Sequence, residues 1–197
     1  NTDTLMWYDL YRPHNTEVGP NPLGTKEELK ALCDAAHAKG LKVIVDIIAN
    51  HTEGSLDIVA DYWKNIDLYH TLGKVSNWND RYQVTHGEIG MKDLKTEDKR
   101  VYSKFKAYVQ KLKALGVDGC RWDAAKHIGL PSEGDPFWSM VIDKTMYNYG
   151  EILNDTGGDD SKLIPEYMTY MSITDSPYGT NNVLGSAKNH QATPYGT

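Results

Sequence analysis

The chain has 197 residues, 40% hydrophobic and 24% charged, with 27 acidic against 21 basic residues and a net charge of −6. This suits one globular domain or a large part of one. The acidic balance argues against a nucleic-acid partner, and no apolar run approaches the ~18–20 residues needed to cross a bilayer. The two cysteines, Cys33 and Cys120, are too few for a disulfide scaffold and read as small apolar fillers. Thirteen tyrosines and five tryptophans against two phenylalanines favour rings with an apolar face and a polar edge. Such rings suit sugar stacking and ordinary cores equally well. The start, without an initiator methionine or basic leader, and the polar stretch 188–197 read as the ends of a piece of a longer chain.

In chain order, Thr25 and Glu28 have the spacing of a capping box. Leu29, Leu32, Cys33 and Ala36 follow as one helical face, and Gly40 stands where a left-handed cap is wanted. The β-branched run Leu41–Asn50 reads as a parallel strand buried on both faces, and Asp46 within it needs a polar partner. Residues 51–95 are polar, rich in Trp, Tyr, Asn, Asp and Gly, and without helical period; they read as a loop-rich inserted subdomain. Thr96, Glu97 and Asp98 open a second helix with Val101, Phe105, Tyr108, Leu112 and Leu115 on one stripe and Gly116 at its end. Strands are expected at Val117–Asp123, Tyr147–Leu153 and, more weakly, Tyr170–Thr174. Helix–strand alternation with short Gly-marked connections indicates an α/β domain with a parallel sheet.

Three of these strands end in unusual polar residues: Asp46, Asn50 and His51; Arg121, Asp123, Lys126 and His127; and Glu151. In a parallel barrel such ends converge on one point, where active sites lie. Two carboxylates from different strands are what a retaining glycosidase needs, one as nucleophile and one as acid and base, about 5–5.5 Å apart. Arg121, two residues before Asp123, shares its side of the strand and can hold it ionised.

Asp46 to His51, Gly119 to His127 and Gly150 to Leu153, in that order, resemble the first three signature regions of the α-amylase family of glycoside hydrolases. Upstream, Trp7 and Tyr8, and Tyr11 to Pro13, resemble its substrate-lining aromatic segment, and the likeness is nearest to secreted bacterial α-amylases. The resemblance implies a (β/α)8 barrel represented by roughly its third to sixth strands, formed by residues 1–50 and 96–197, with 51–95 inserted after the third strand. It implies Asp123 as nucleophile and Glu151 as general acid and base. Arg121 would orient the nucleophile with Asp46 beside it. His51, Lys126 and His127 would contact sugar, and Trp7, Tyr8 and Tyr11 would line the substrate. A bridging Ca2+ would be held by Asn50, Asp93 and the backbone oxygens of Thr85 and His127. These hard oxygens match calcium's preference. The implied partner is an α-glucan, with no nucleic acid and no membrane, and the implied setting is extracellular and monomeric.

Two features depart from the family pattern: Arg12 stands where glutamine is more frequent, and no apolar-x-x-His-Asp motif supplies the third carboxylate. Residues 1–197 alone are therefore expected to hydrolyse starch poorly. A sibling oligosaccharide-forming hydrolase or transglycosylase, or a non-catalytic carbohydrate-binding relative, are the alternatives. Blander readings stand beside these: a structural Asp46–Arg121 ion pair, solvated loop histidines at 70, 86 and 190, and packing roles for Trp63, Trp78 and Trp138. A zinc site from His51, His86 and His127 has suitable ligands but no local spacing. The sequons at Asn50 and Asn154 leave only Asn154 accessible if Asn50 is buried at a metal.

Overall fold

The computed structural model describes residues 10–174; Trp7, Tyr8 and His190 lie outside them. Helix α1 (Lys26–His37) opens on the expected capping box, Thr25 Oγ1 accepting from the Glu28 N–H at 3.2 Å and Glu28 Oε2 from the Thr25 N–H at 2.8 Å. Gly40 turns left-handed at φ +73°, and the Leu41 N–H returns to the Ala36 carbonyl at 3.0 Å. This six-to-one bond shares the Ala36 carbonyl with the Lys39 N–H, at 2.9 Å, and closes the helix end. The buried face of α1 is narrower than the spacing suggests. Cys33 is buried, Leu29 and Ala36 are half-buried, and Leu32 is 58% exposed. The seam is centred on Cys33, which faces Gly116 so closely that a Cβ there would lie 3.1 Å from its own Cβ. Leu32, one residue earlier, is turned about 100° away from that contact.

Strand β1 (Ile44–Ile48) is followed by a short antiparallel pair, β2 (His51–Thr52) and β3 (Lys92–Asp93). Between them lie two single-turn 3-10 segments and helix α2 (Arg81–His86), so residues 51–95 carry only short elements. Helix α3 (Lys99–Ala114) is capped by Asp98, whose side chain accepts from the Arg100 N–H. Thr96 and Glu97, read from sequence as part of that start, point elsewhere: Thr96 to Asp135 and Glu97 to His70. Strand β4 (Gly119–Asp123), helix α4 (Phe137–Val141), strand β5 (Tyr147–Gly150), helix α5 (Asp160–Met168) and strand β6 (Ser172–Ile173) complete the order.

The main sheet runs β1-β4-β5-β6, every pair parallel, with Asp46 opposite Arg121 and Arg121 opposite Tyr149. Successive sheet strands are neighbours without a reversal of order, which is barrel winding rather than the doubly wound pattern with a switch point. The fold is part of a (β/α) barrel. The expectation that the first strand is buried on both faces does not hold: Ile44 is 43% exposed and Asp46 is exposed. Among the described residues β1 is an outer strand of this sheet, and the face carrying Ile44, Asp46 and Ile48 is the one that bears the polar cluster.

The opposite sheet face packs on the helices through rings. Trp122 meets Phe137 and Trp138 edge-on at 6.0 and 5.5 Å, and Phe105 joins Phe137 to Trp63. Trp63 and Trp138 are thus core side chains; Trp78 is 51% exposed. Cys33 and Cys120 are buried free thiols.

The turn into β5 is pinned by Asp143, which accepts from Lys113 Nζ at 2.7 Å and from the Thr145 N–H and hydroxyl. These donors pull its carboxyl down to about 2. A carboxylate depressed in the folded state adds stability above its unfolded value of about 4 and loses it as pH falls through its folded value. Asp143→Asn should therefore be less stable than the parent at pH 7 in urea unfolding, and the gap should close between about pH 4 and 2.

Candidate active site

The period of a strand places Asp46, Arg121 and Asp123 on one sheet face, and the parallel register sets Asp46 directly beside Arg121. Arg121 Nη1 donates to Asp46 at 2.8 and 3.0 Å and to Asp123 Oδ1 at 2.6 Å, while Nη2 lies 2.9 Å from Glu151 Oε1. One guanidinium therefore ties together three carboxyl groups from three consecutive sheet strands, Asp46 in the middle of β1, Asp123 at the end of β4 and Glu151 just past β5. Glu151 follows β5 directly; its Oε2 accepts from the Ala124 N–H at 3.2 Å, which aims the carboxyl back toward β4.

The Tyr11 hydroxyl stands 2.9 Å from both Asp46 Oδ2 and Asp123 Oδ1, and Arg121 Nη1 donates to it at 3.1 Å. Burial, then the two carboxylates, push this phenol far above its usual range, so it remains a donor. The burial cost of the Arg121 charge is outweighed by Asp46 and Asp123, which hold the guanidinium firmly protonated. Next to this cluster a cavity of about 450 Å³ is lined by Tyr11, Arg12, Asp46, Ile48 and Glu53. Arg12 Nε pairs with the buried Glu53 at 3.2 Å.

His51 is buried, and its burial lowers its basicity against the pull of Asp123. His127 is buried too, which lowers its imidazole to about 4; its Nδ1 lies 2.7 Å from the Val84 carbonyl. A carbonyl only accepts, so Nδ1 carries the proton and Nε2 is the free lone pair. Lys126 Nζ donates to the Leu153 carbonyl at 2.7 Å and sits 5.8 Å from the centre of the Trp78 ring. Sequence reasoning missed the residue that holds this corner. Arg81, at the start of α2, donates to the Lys126 and Thr156 carbonyls, to both Glu133 oxygens and to Tyr167. An arginine after an N-cap in a loop-rich stretch gives no motif to read; only its five donors and their distant partners reveal it.

Asn50 and Asp93 are both 1% exposed and are brought together by the β2–β3 pair, with the Leu94 N–H on the Asn50 carbonyl. Asp93 Oδ2 meets His70 Nδ1 at 2.6 Å, whereas the buried Oδ1 has no hydrogen-bond partner. An orphaned buried carboxylate oxygen beside a buried amide fits a hard cation. The His127 ring reaches the Val84 carbonyl, one residue before Thr85, so a side chain ties these two segments together.

His70 and His86 are not solvated loop histidines. The His70 ring is 8% exposed and bonds Asp93 and, at 3.1 Å, Glu97 Oε1. Burial raises the Asp93 carboxyl, and the two carboxylates raise the His70 imidazole against its own burial. Among the described residues the histidines and acids close enough to share a metal are His70, His86 and Glu97, not His51, His86 and His127.

A barrel-type sheet with its charged cluster at the C-terminal strand ends defines the class of (β/α)-barrel catalytic domains. A model of the alpha amylase catalytic domain matches residues 11–187. The chain is 33% identical over 210 residues to an alpha-amylase of Clostridium acetobutylicum, covering 98% of this chain and 27% of that protein. The structure of an alpha-amylase from Malbranchea cinnamomea matches with TM-score 0.70 and 26% identity, over 90% of this chain and 38% of that one. An alpha-amylase from Geobacillus thermoleovorans, solved with acarbose, matches with TM-score 0.69 and 26% identity, over 88% of this chain and 39% of its own. The chain belongs to the alpha-amylase family, and spans about a quarter of the curated relative's length.

Proposed function

We propose that the protein takes part in endo-hydrolysis of α-1,4-glucosidic bonds in starch-like glucans by a retaining double displacement. The observation carrying this is the pair Asp123 and Glu151, from neighbouring parallel strands, on the two terminal nitrogens of one guanidinium. Asp123 attacks the anomeric carbon and forms a glycosyl ester, while Glu151 gives its proton to the departing oxygen. Glu151 then takes a proton from water, which attacks the same carbon and releases Asp123. Three carboxyl groups around one cation leave an excess of negative charge, which favours an oxocarbenium-like transition state. Arg121 and the Tyr11 hydroxyl fix Asp123 for in-line attack. His51, Lys126 and His127 border the site and bind sugar hydroxyls, and the Tyr11 ring lines the same wall. The acarbose bound by the Geobacillus relative supports an α-glucan-like ligand.

Residues 51–95 act as an inserted subdomain joined to the barrel by Ca2+. Asn50 and Asp93 offer side-chain oxygens and Thr85 and His127 backbone oxygens; the ion supplies charge neutralisation and a cross-link, not a chemical step. The setting is extracellular, since an external polymeric glucan does not enter a cell, and the resemblance implies a monomer for the full-length form; among the described residues no helix is long and apolar enough to cross a membrane.

Glu151→Gln tests the division of labour. Turnover of a glucan, whose leaving group needs a proton, should fall by about 10²–10⁴-fold. Cleavage of an aryl α-maltoside with an acidic phenol should fall far less in its first step. Equal losses on both substrates would remove Glu151 from the acid role.

A further inference from the structure

Away from the strand ends, where the segment 51–95 rejoins the barrel, lies a cluster that glucan hydrolysis does not use. We propose that His70, His86 and Glu97 form a zinc site that fastens this segment to the start of α3. The reading is independent of the proposed hydrolysis. Their potential ligand atoms all lie within 4.8 Å of one another. The His70 Nε2 to Glu97 Oε1 separation, 3.1 Å, is already close to the edge of a tetrahedron built on bonds of about 2.0–2.1 Å. Closing the third ligand from as far as 4.8 Å needs a shift of up to about 1.5 Å.

The outer contacts favour a built site over a chance grouping. His70 Nδ1 is held by Asp93 Oδ2 at 2.6 Å, the carboxylate–histidine arrangement that orients zinc-binding imidazoles. His86 Nδ1 lies 2.8 Å from Thr85 Oγ1 and 3.1 Å from the Tyr82 carbonyl. The carbonyl requires a proton on Nδ1, and the Thr85 hydroxyl donates instead to the Arg81 carbonyl at 3.0 Å, leaving His86 Nε2 as the metal-binding nitrogen. Tyr82 stacks on the His86 ring at 4.2 Å and fixes its plane, and the two imidazole rings lie 4.4 Å apart. Both histidines are thus set in tautomer and orientation by partners that are not themselves needed as zinc ligands.

The donor set selects the ion. Two imidazoles and one carboxylate suit zinc, whereas calcium prefers all-oxygen shells. The Glu97 side chain is 39% exposed, so the site has an entry path and room for water as fourth ligand. Asp93 would then serve two ions, its unpartnered Oδ1 toward calcium and its Oδ2 on the zinc-binding histidine.

The test is calorimetric titration of metal-stripped protein with Zn2+ alone, in saturating Ca2+. One equivalent should bind, and His86→Gln and Glu97→Gln should each weaken it by at least about tenfold. Neither variant touches Asp93, and circular dichroism confirms their folding. His37→Gln, whose ring instead faces Asp118, should bind as the parent does. Co2+ in place of zinc should give the intense visible bands of a four- or five-coordinate ion. No binding, binding unchanged in both variants, or, in a second titration begun without Ca2+, Zn2+ displaced mole for mole by added Ca2+ would each overturn the site. The last outcome would place the ion at Asn50 and Asp93.

Discussion

Asp123→Asn should lower turnover of α-1,4-glucans by at least about 10⁴-fold while leaving the fold in place, because an amide cannot carry the glycosyl ester. The substitution keeps shape and one acceptor, so the Tyr11 hydroxyl and Arg121 retain a partner there. Arg121 also keeps Asp46 and Glu151, so no uncompensated cation is created in the sheet. Initial rates on soluble starch, with a thermal melt beside them, read the two effects separately. Asp46→Asn is the informative comparison. It leaves the attacking oxygen intact and only loosens the guanidinium, so its loss should be much smaller. Rates within tenfold of the parent for Asp123→Asn would exclude the nucleophile assignment.

Removal of Ca2+ should lower the melting temperature by about 8–16 °C. An ion present at a thousandfold its dissociation constant adds about 4 kcal/mol, and each kcal/mol moves the midpoint of a chain of this size by about 2–4 °C. The physical reason lies at Asp93. Its buried Oδ1 has no partner among the described residues, so without an ion the fold carries an unsatisfied carboxylate oxygen. Adding Ca2+ back should restore the midpoint in the parent and not in Asp93→Asn. Differential scanning calorimetry with and without the ion checks this. Equal midpoints in the two conditions would remove the calcium site.

Much of this architecture was legible from residue order. The capping box at Thr25, the left-handed glycines after α1 and α3, and the parallel strand ending at Asp123 follow from local rules, whereas the strand expected over Tyr147–Leu153 stops at Gly150. Those rules act within one helical turn or one strand period. Where the expectation failed, the cause was a distant partner. Leu32 obeys the helical period yet lies off the seam, because that seam is set by the approach of Gly116 to Cys33. Thr96 looks like a helix start and instead binds Asp135, thirty-nine residues on.

The sequence by itself determined the family and the α/β alternation, and it singled out Asp123 and Glu151 as the candidate carboxylates, because the strand-end motifs are contiguous and chemically distinctive. Only the tertiary structure decided that Arg121 joins three acids at once and that Arg81 braces the loop after β4. It alone decided that the His70 ring is buried against Asp93 and that His86 is half-buried and bound to Thr85 and Tyr82. Contacts across long stretches of chain are fixed by which elements pack together, and short-range patterns do not encode that choice.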